Sequence, residues 1–204
     1  MTTAQIQVVR ATRADADRLG SALAGAFVDD PVFGWLIPLG VERRDERLRT
    51  FFTSMARSYL RRDKHAYLAG DGVGAALWSA PGSWNLPATE IAREARPSFR
   101  AFGGGIIRAL RVQLEVEGGH PKDPKHWYLG YLGVAPGHQG QGIGAAMLRE
   151  VLAQADEAGT PAYLESSNER NLPLYERHGF VVTKAYQALG RGPTIWRMWR
   201  EPTS

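Results

Sequence analysis

The stretch that most constrains this chain is "WYLGYLGVAPGHQGQGIGAAMLREVLAQADEAG", residues 127–159. Its first eight residues are apolar, aromatic or glycine, the composition of a largely buried strand. From 143 onward Met147, Leu148, Val151, Leu152 and Ala155 recur as one helical stripe, and Gly159 supplies the stop. Between them lies "PGHQGQGIGA" (136–145), with four glycines in ten residues. A strand that turns through glycines into a helix leaves the first helical N–H groups unpaired and clears side chains from their approach. That arrangement binds phosphate. A strand–turn–helix unit also requires a sheet with a helix on its face, so the chain is expected to be α/β.

Three readings of the turn compete. A nucleoside-triphosphate loop needs Lys followed by Ser or Thr after its glycines, and neither follows here. A dinucleotide fingerprint fits better on pattern: Gly140, Gly142 and Ala145 match, and Glu165 falls 20 residues after Ala145. Against it, residues 135–139 separate the strand from the first matching glycine, and about 60 residues remain for a second half-sheet. The third reading is a flexible connection, which the flanking strand and helix argue against.

Elsewhere the pattern reads as one domain over 1–204. A strand is expected at 6–9. "TRAD" (12–15) is a capping box for a helix carrying Leu19, Leu23 and Phe27. Further helices are expected near 43–62 and, broken by "GGG" at 103–105, within 82–125. A hairpin is expected at 66–81, and strands at 162–166, 180–189 and 194–200. A short helix around Pro173 is expected to end at Gly179. With no cysteine, thiol nucleophiles, thiolate metal sites and acyl-cysteine intermediates are excluded. The charge of +4 suits an anionic small ligand but is too slight and scattered for nucleic acid. No apolar run has membrane-spanning length and no signal core opens the chain, so a cytoplasmic protein with no membrane partner is expected.

"LGVAPGHQGQGIGAAML" resembles the acetyl-coenzyme A signature of the GNAT N-acetyltransferases, and "NLPLYERHGF" resembles the tyrosine helix that follows it in that family. Together with "VRATRAD", "AFVDDP", "HPKDPKHWYLGYLGV" and the Trp-rich end, the chain is most similar to the puromycin N-acetyltransferase-like branch. The resemblance implies a mixed, mostly antiparallel central sheet flanked by helices, and acetyl-CoA as co-substrate. It implies contacts from the backbone of Leu132, Gly133 and Val134 and from Gln139, Gly140, Gln141, Gly142, Ile143, Gly144 and Ala145. Asn168 is a weaker candidate contact, and Asn171 is expected to cap the tyrosine helix.

Acyl transfer from a thioester to an amine needs a held cofactor, a neutral amine, an oxyanion donor and a proton for the departing thiolate. The resemblance makes Tyr175 the candidate acid; residue type alone would leave it a core tyrosine. Glu165, ending a strand beside the presumed cleft, is the candidate base, with a surface or capping carboxylate as the alternative. Some relatives carry a glutamate on the preceding strand, where Tyr128 stands here. Asp29, Asp30, Phe33, Trp35, Trp78 and Tyr128 are candidates to line the acceptor pocket, with the insert at about 82–125 covering it. Gly133 is consistent with a bulge or with close packing. His120, His126 and His138 lack metal-ligand spacing, and no metal is expected. The expected partner is a small amine, a puromycin-like aminonucleoside among the candidates, with the protein as monomer or homodimer. A protein acetyltransferase and a non-catalytic acetyl-CoA-binding module are the alternatives.

Overall fold

The computed structural model describes residues 6–62 and 64–203. In chain order the elements are β1 (Val8–Arg10), α1 (Ala16–Ala26), α2 (Pro31–Leu36), α3 (Arg44–Arg61), β2 (His65–Ala69), β3 (Gly74–Ser79), α4 (Ala88–Phe102) and α5 (Ile106–Gly118). There follow β4 (Trp127–Val134), α6 (Ile143–Glu157), β5 (Ala162–Ser166), α7 (Leu172–Glu176), β6 (Val181–Gln187) and β7 (Thr194–Arg200). The strands form one sheet in the order β1-β2-β3-β4-β5-β7-β6. Every pairing is antiparallel except β4 with β5. Among the described residues no helix is long and apolar enough to cross a membrane.

The two faces of the sheet bury separate cores. On one, Leu19, Leu23, Phe33, Phe52, Leu68 and Leu77 join α1, α2 and α3 to the strands. On the other, Trp78, Leu129, Met147, Leu148, Val151 and Tyr175 join α6 and α7 to them. The expected capping box forms: Asp15 accepts from the Thr12 N–H at 2.9 Å and from its hydroxyl at 2.8 Å. The first strand begins at Val8, two residues later than the sequence suggests.

The expected insert folds as two helices hinged at Gly103–Gly105, and Gly105 packs so close to the Leu36 carbonyl that a Cβ would lie 2.6 Å from it. Its apolar face does not point inward. Ile91, Phe99, Ile107, Leu110 and Leu114 are exposed. α4 instead turns Glu90 and Glu94 toward α3, where Arg61 donates to Glu90 at 2.7 Å and to Glu94 at 3.1 Å. Ser58 donates to Glu90 at 3.0 Å, and Ser54 donates to Glu94. These charge-assisted bonds, chiefly that from Arg61, hold the Glu90 carboxyl down to about 2.

β4 and β5 pair only through Trp127–Leu129 with Ala162–Leu164. β4 nevertheless continues to Val134 on its other edge, against β3. Residues 130–134 and 165–166 therefore face one another across an unpaired gap in mid-sheet.

Candidate active site

One wall of the gap leads into the glycine turn. Gly137, Gly140 and Gly142 all take positive φ, between 76° and 83°, a region in which a side chain is strained. Nothing lies within 4 Å of a Cβ placed at Gly137 or Gly140. The turn is exposed and Gly142 is the N-cap of α6, so the first helical N–H groups open outward. Ile143 points its side chain back into the core against Gly70 and Gly74. Gln139 and Gln141 brace the turn from within, donating to the carbonyls of Val134 at 3.1 Å and Gly137 at 3.3 Å. The nest thus fits an anionic pyrophosphate. Gly144 also serves packing, since Leu174 of α7 would lie 3.3 Å from its Cβ.

The β4 bulge falls at Gly130, not Gly133. Leu77 pairs with Tyr131 while Trp78 pairs with Leu129, leaving Gly130 over. A Cβ there would lie 2.3 Å from the Tyr59 hydroxyl. Gly133 is a packing glycine, with Ala26 of α1 2.5 Å from a Cβ built on it.

Glu165 ends β5 at the gap. Tyr163, two residues back on the same face, donates to its Oε1 at 2.7 Å. Its Oε2 is buried without a partner in good hydrogen-bonding geometry, and the Tyr128 hydroxyl is close enough to favour its charge. Burial raises the carboxyl to about 7, against the hydroxyls of Tyr163 and Tyr128 and the Arg197 charge, which favour the anion. Around it Tyr59, Tyr128, Tyr131 and Tyr163 are all held neutral, their phenols pushed up first by burial and then by the Glu165 charge or one another. Tyr163 stacks beside Tyr128, ring centroids 6.0 Å apart and planes inclined by 28°. Lys64 is also buried here, its ammonium 2.7 Å from Ser79 Oγ and 4.6 Å from the Tyr59 ring centre. Burial, then the Arg62 charge, brings it down to about 7.

Tyr175 is buried on α7, and burial followed by the charge of Asp30 pushes its phenol well above the usual range. Asp30 is itself occupied: Oδ1 accepts from the N–H groups of Val32 at 2.9 Å and Phe33 at 3.0 Å, and Oδ2 accepts from Ser167 just past β5. It caps α2 and ties that helix to the far side of the gap.

Of the expected acceptor-lining residues, Tyr128 alone stands in the Glu165 cluster. Trp78 is fully buried against α6 on the opposite face, because strand alternation places it behind the sheet. Phe33 packs among Phe27, Phe51 and Phe52. Trp35 lies under Arg108, 5.0 Å away, and Asp29 is exposed. The cap expected from Asn171 is supplied by Asn168, whose Oδ1 accepts from Arg170 N–H at 3.1 Å in the turn into α7, while Asn171 makes no side-chain cap. His120 and His126 share a hydrogen bond of 3.0 Å between their Nε2 atoms, with Trp84 stacked on His120. Burial brings His120 down to about 3, so this pair is a neutral wall beside Tyr163 and Tyr128. No group of three or more metal-ligating side chains occurs among the described residues. Two surface hollows of about 410 and 300 Å³ lie away from this cluster, the larger between α3 and α4.

Arg197, Tyr186 and Tyr59 escaped the sequence reading, which weighed His120 and His126 only as metal ligands. Strand alternation in "TIWRMWR" puts Arg197 beside Ile195 and Trp199 on one face, but nothing local says that β7 inserts next to β5.

Comparison with known proteins agrees with this architecture. The family model described as "Acetyltransferase (GNAT) family" matches residues 78–180. An uncharacterized N-acetyltransferase of Schizosaccharomyces pombe is 30% identical over 180 residues, covering 84% of this chain and 72% of its own. A solved structure described as histone acetyltransferase HPA2 and related acetyltransferase, from Corynebacterium glutamicum, is 26% identical with a TM-score of 0.69, covering 98% of this chain and 97% of its own. The polyamine N-acetyltransferase of Drosophila melanogaster shares the fold at 14% identity and a TM-score of 0.65, covering 97% of this chain and all of its own. With a parallel pair opening beside a glycine nest, and these relatives, the chain belongs to the GNAT family of acetyltransferases.

Proposed function

We propose that this enzyme transfers acetyl from acetyl-CoA directly to the primary amine of a small molecule, with Glu165 as base and Tyr175 as acid. The observation that carries the reading is Glu165 itself, buried at the gap with Oε2 incompletely bonded and its carboxyl raised to about 7. A carboxylate so placed accepts a proton from an ammonium at neutral pH more readily than an exposed one. The neutral amine then attacks the thioester carbonyl: an N–C bond forms, the C–S bond breaks, and sulfur leaves as thiolate. Tyr175, kept protonated by burial, donates a hydrogen bond or its proton to that sulfur. The N–H groups of the nest from Gln139 to Ala145 hold the pyrophosphate, and backbone groups of Leu132, Gly133 and Val134 face the acyl arm. Asn168 is a further contact.

A small acceptor is favoured over a protein because α4 and α5 lie over this face. The α5 residue Glu115 reaches Arg197, with its carbonyl accepting from Nη2 at 3.4 Å. Charge on the α4 residue Glu94 is felt at Tyr131. The aromatic walls suit a partly aromatic amine, an aminonucleoside resembling puromycin among them.

The test is a panel of small amines and of lysine and N-terminal peptides with acetyl-CoA, read by free thiol. The chain has no cysteine, so the protein adds no background. Acetylation of peptides with a far higher specificity constant than every small amine would reject the small-molecule reading. Tyr175→Phe is expected to lower turnover on the order of 10²-fold with coenzyme A affinity kept; undiminished turnover would leave Tyr175 a packing residue. Gly142→Val should abolish coenzyme A binding in a folded protein, and unchanged calorimetric affinity would misplace the nest.

A further inference from the structure

Charge divides between the inner and outer sides of α4 and α5. Ala101 and Phe102 of α4 and Val112 of α5 are buried in one core. The carboxylates of this pair are also turned inward or tied down. Glu90 and Glu94 are buried against Arg61. The Glu115 carboxylate accepts from the Leu189 N–H at 2.9 Å, and the half-buried Glu117 accepts from Gln113 at 2.8 Å. Outward stand Ile91 and Phe99 of α4 with Ile107, Leu110 and Leu114 of α5, each more than half exposed.

Helical spacing makes stripes of them. Ile91, Ala95 and Phe99 follow one another four residues apart, all exposed. Ile107, Leu110 and Leu114 make the second stripe, with Val112 half a turn away on the buried side. Arg93, Arg96 and Arg100 run beside the first stripe, and Arg111 flanks the second, all exposed. Arg93 is shared with Glu90. Arg96, Arg100 and Arg111 make no hydrogen bond or ion pair among the described residues. The hollow of about 410 Å³ between α3 and α4 adds Arg49 and Arg57 to the Arg100 edge. Its one carboxylate, Glu46, is already paired with Arg43 at 2.6 Å.

We infer that the outer side of α4 and α5 docks this protein on an anionic lipid surface. The apolar stripes enter the boundary between headgroups and acyl chains, and the free arginines meet the headgroup phosphates and carboxylates. Lying on a bilayer needs no spanning helix, and none occurs among the described residues. A second copy of this chain fits the face poorly. A two-fold contact would bring the unpaired arginines of one copy toward those of the other. An acidic protein fits less well than lipid because the five apolar side chains line neither of the two hollows beside them. They stand on the ridges of two helices, which a fluid interface accommodates without a matching groove. The inference is independent of which amine is acetylated.

The experiment floats the full chain with two kinds of vesicle, phosphatidylcholine alone and phosphatidylcholine with about one-third phosphatidylserine. Binding is expected to the second and not the first. It should be released in about 1 M salt, where screening falls to about 3 Å. Arg96→Gln with Arg100→Gln should weaken binding about 30-fold, the usual worth of two charges at such a surface. Phe99→Ser with Leu114→Ser should weaken it at least about tenfold. Both variants change exposed side chains, so coenzyme A affinity and turnover of a soluble amine should match the parent. No binding to either vesicle, equal binding to both, or parental binding by both variants would overturn the inference. So would a dimer in sedimentation equilibrium that Phe99→Ser with Leu114→Ser dissociates, which would give this face to a second copy. Capture of an acidic protein with no affinity for vesicles would likewise overturn it.

Discussion

Two carboxylate–arginine arrangements flank β7, and they are built to opposite ends. Asp156 of α6 meets Arg200 in a two-pronged pair at 2.7 and 2.8 Å, and the Thr203 N–H adds a third bond at 2.8 Å. Arg200 directs its remaining Nε to the His178 carbonyl at 2.7 Å. Three residues earlier on the same strand, and so on the other face, Arg197 stands opposite Glu165 with both partners incompletely bonded. The first arrangement pulls its carboxyl down to about 2, chiefly through the Arg200 bonds; in the second, burial pushes the carboxyl up to about 7. Saturated bonding marks the pair that fastens α6 and the C-terminal segment to the sheet. Unsaturated bonding marks the pair that stands on the strand beside the gap between β4 and β5.

The largest contrast is expected from removing one charge at each place. Glu165→Gln should lower kcat/KM by about 10²–10⁴-fold at neutral pH, the usual worth of a general base. Asp156→Asn should leave turnover per folded molecule nearly intact and cost about 3 kcal/mol of stability, because it strands a buried guanidinium. Denaturant melts and steady-state rates on both variants settle it. Comparable activity losses from the two would erase the distinction between these pairs.

A second contrast lies in pH. Glu165 titrates higher folded than unfolded, so the protonated form is favoured by folding. Its contribution is full below about 4.5 and is lost as pH rises to about 7. Glu165→Gln should therefore be more stable than the parent by about 1–3 kcal/mol at pH 8 and by little at pH 4. Asp156 has the reverse sign: its contribution is full above about 3.8 and is lost as pH falls toward 2. Meanwhile kcat/KM should rise through about pH 7 as Glu165 ionises. A Glu165→Gln variant that melts below the parent at pH 8 would show the carboxylate to be structural.

What the sequence disclosed and what it hid divide along the same line. The strand, nest and helix of 127–157 were readable because each depends on neighbours within a few residues. Glu165 was readable as a strand-ending carboxylate after the nest. Its companions were not, since Tyr59 arrives from α3, Arg197 from β7 and Tyr186 from β6, and no local pattern announces that β7 lies between β5 and β6. The insert was readable as helix broken at "GGG", but not which of its faces is buried. Hydropathy assumes that apolar side chains face inward, whereas α4 buries Glu90 and Glu94 against Arg61, Ser54 and Ser58 and leaves Ile91 and Phe99 outside. Trp78 misled because one residue of strand register decides which face a side chain joins.

The smallest test applies the bonded-against-unbonded rule to two asparagines three residues apart. Asn168 Oδ1 accepts from the Arg170 N–H, and Asn168 has the extended backbone of an N-cap, whereas Asn171 is already helical and its side chain makes no cap. Asn168→Ala should cost about 1 kcal/mol, the ordinary loss for a missing cap, and Asn171→Ala close to nothing. The pair also separates capping from cofactor contact. Asn168→Asp keeps the accepting oxygen, so it should restore stability, but it places a negative charge where the phosphates of coenzyme A approach if Asn168 touches them. A stable Asn168→Asp protein with several-fold weaker coenzyme A binding would make Asn168 both cap and contact. Unchanged binding would leave it a cap alone. Equal stability losses at 168 and 171 would show that the turn into α7 is held by Pro173 and the packing of Leu174 on Gly144, with side-chain capping incidental.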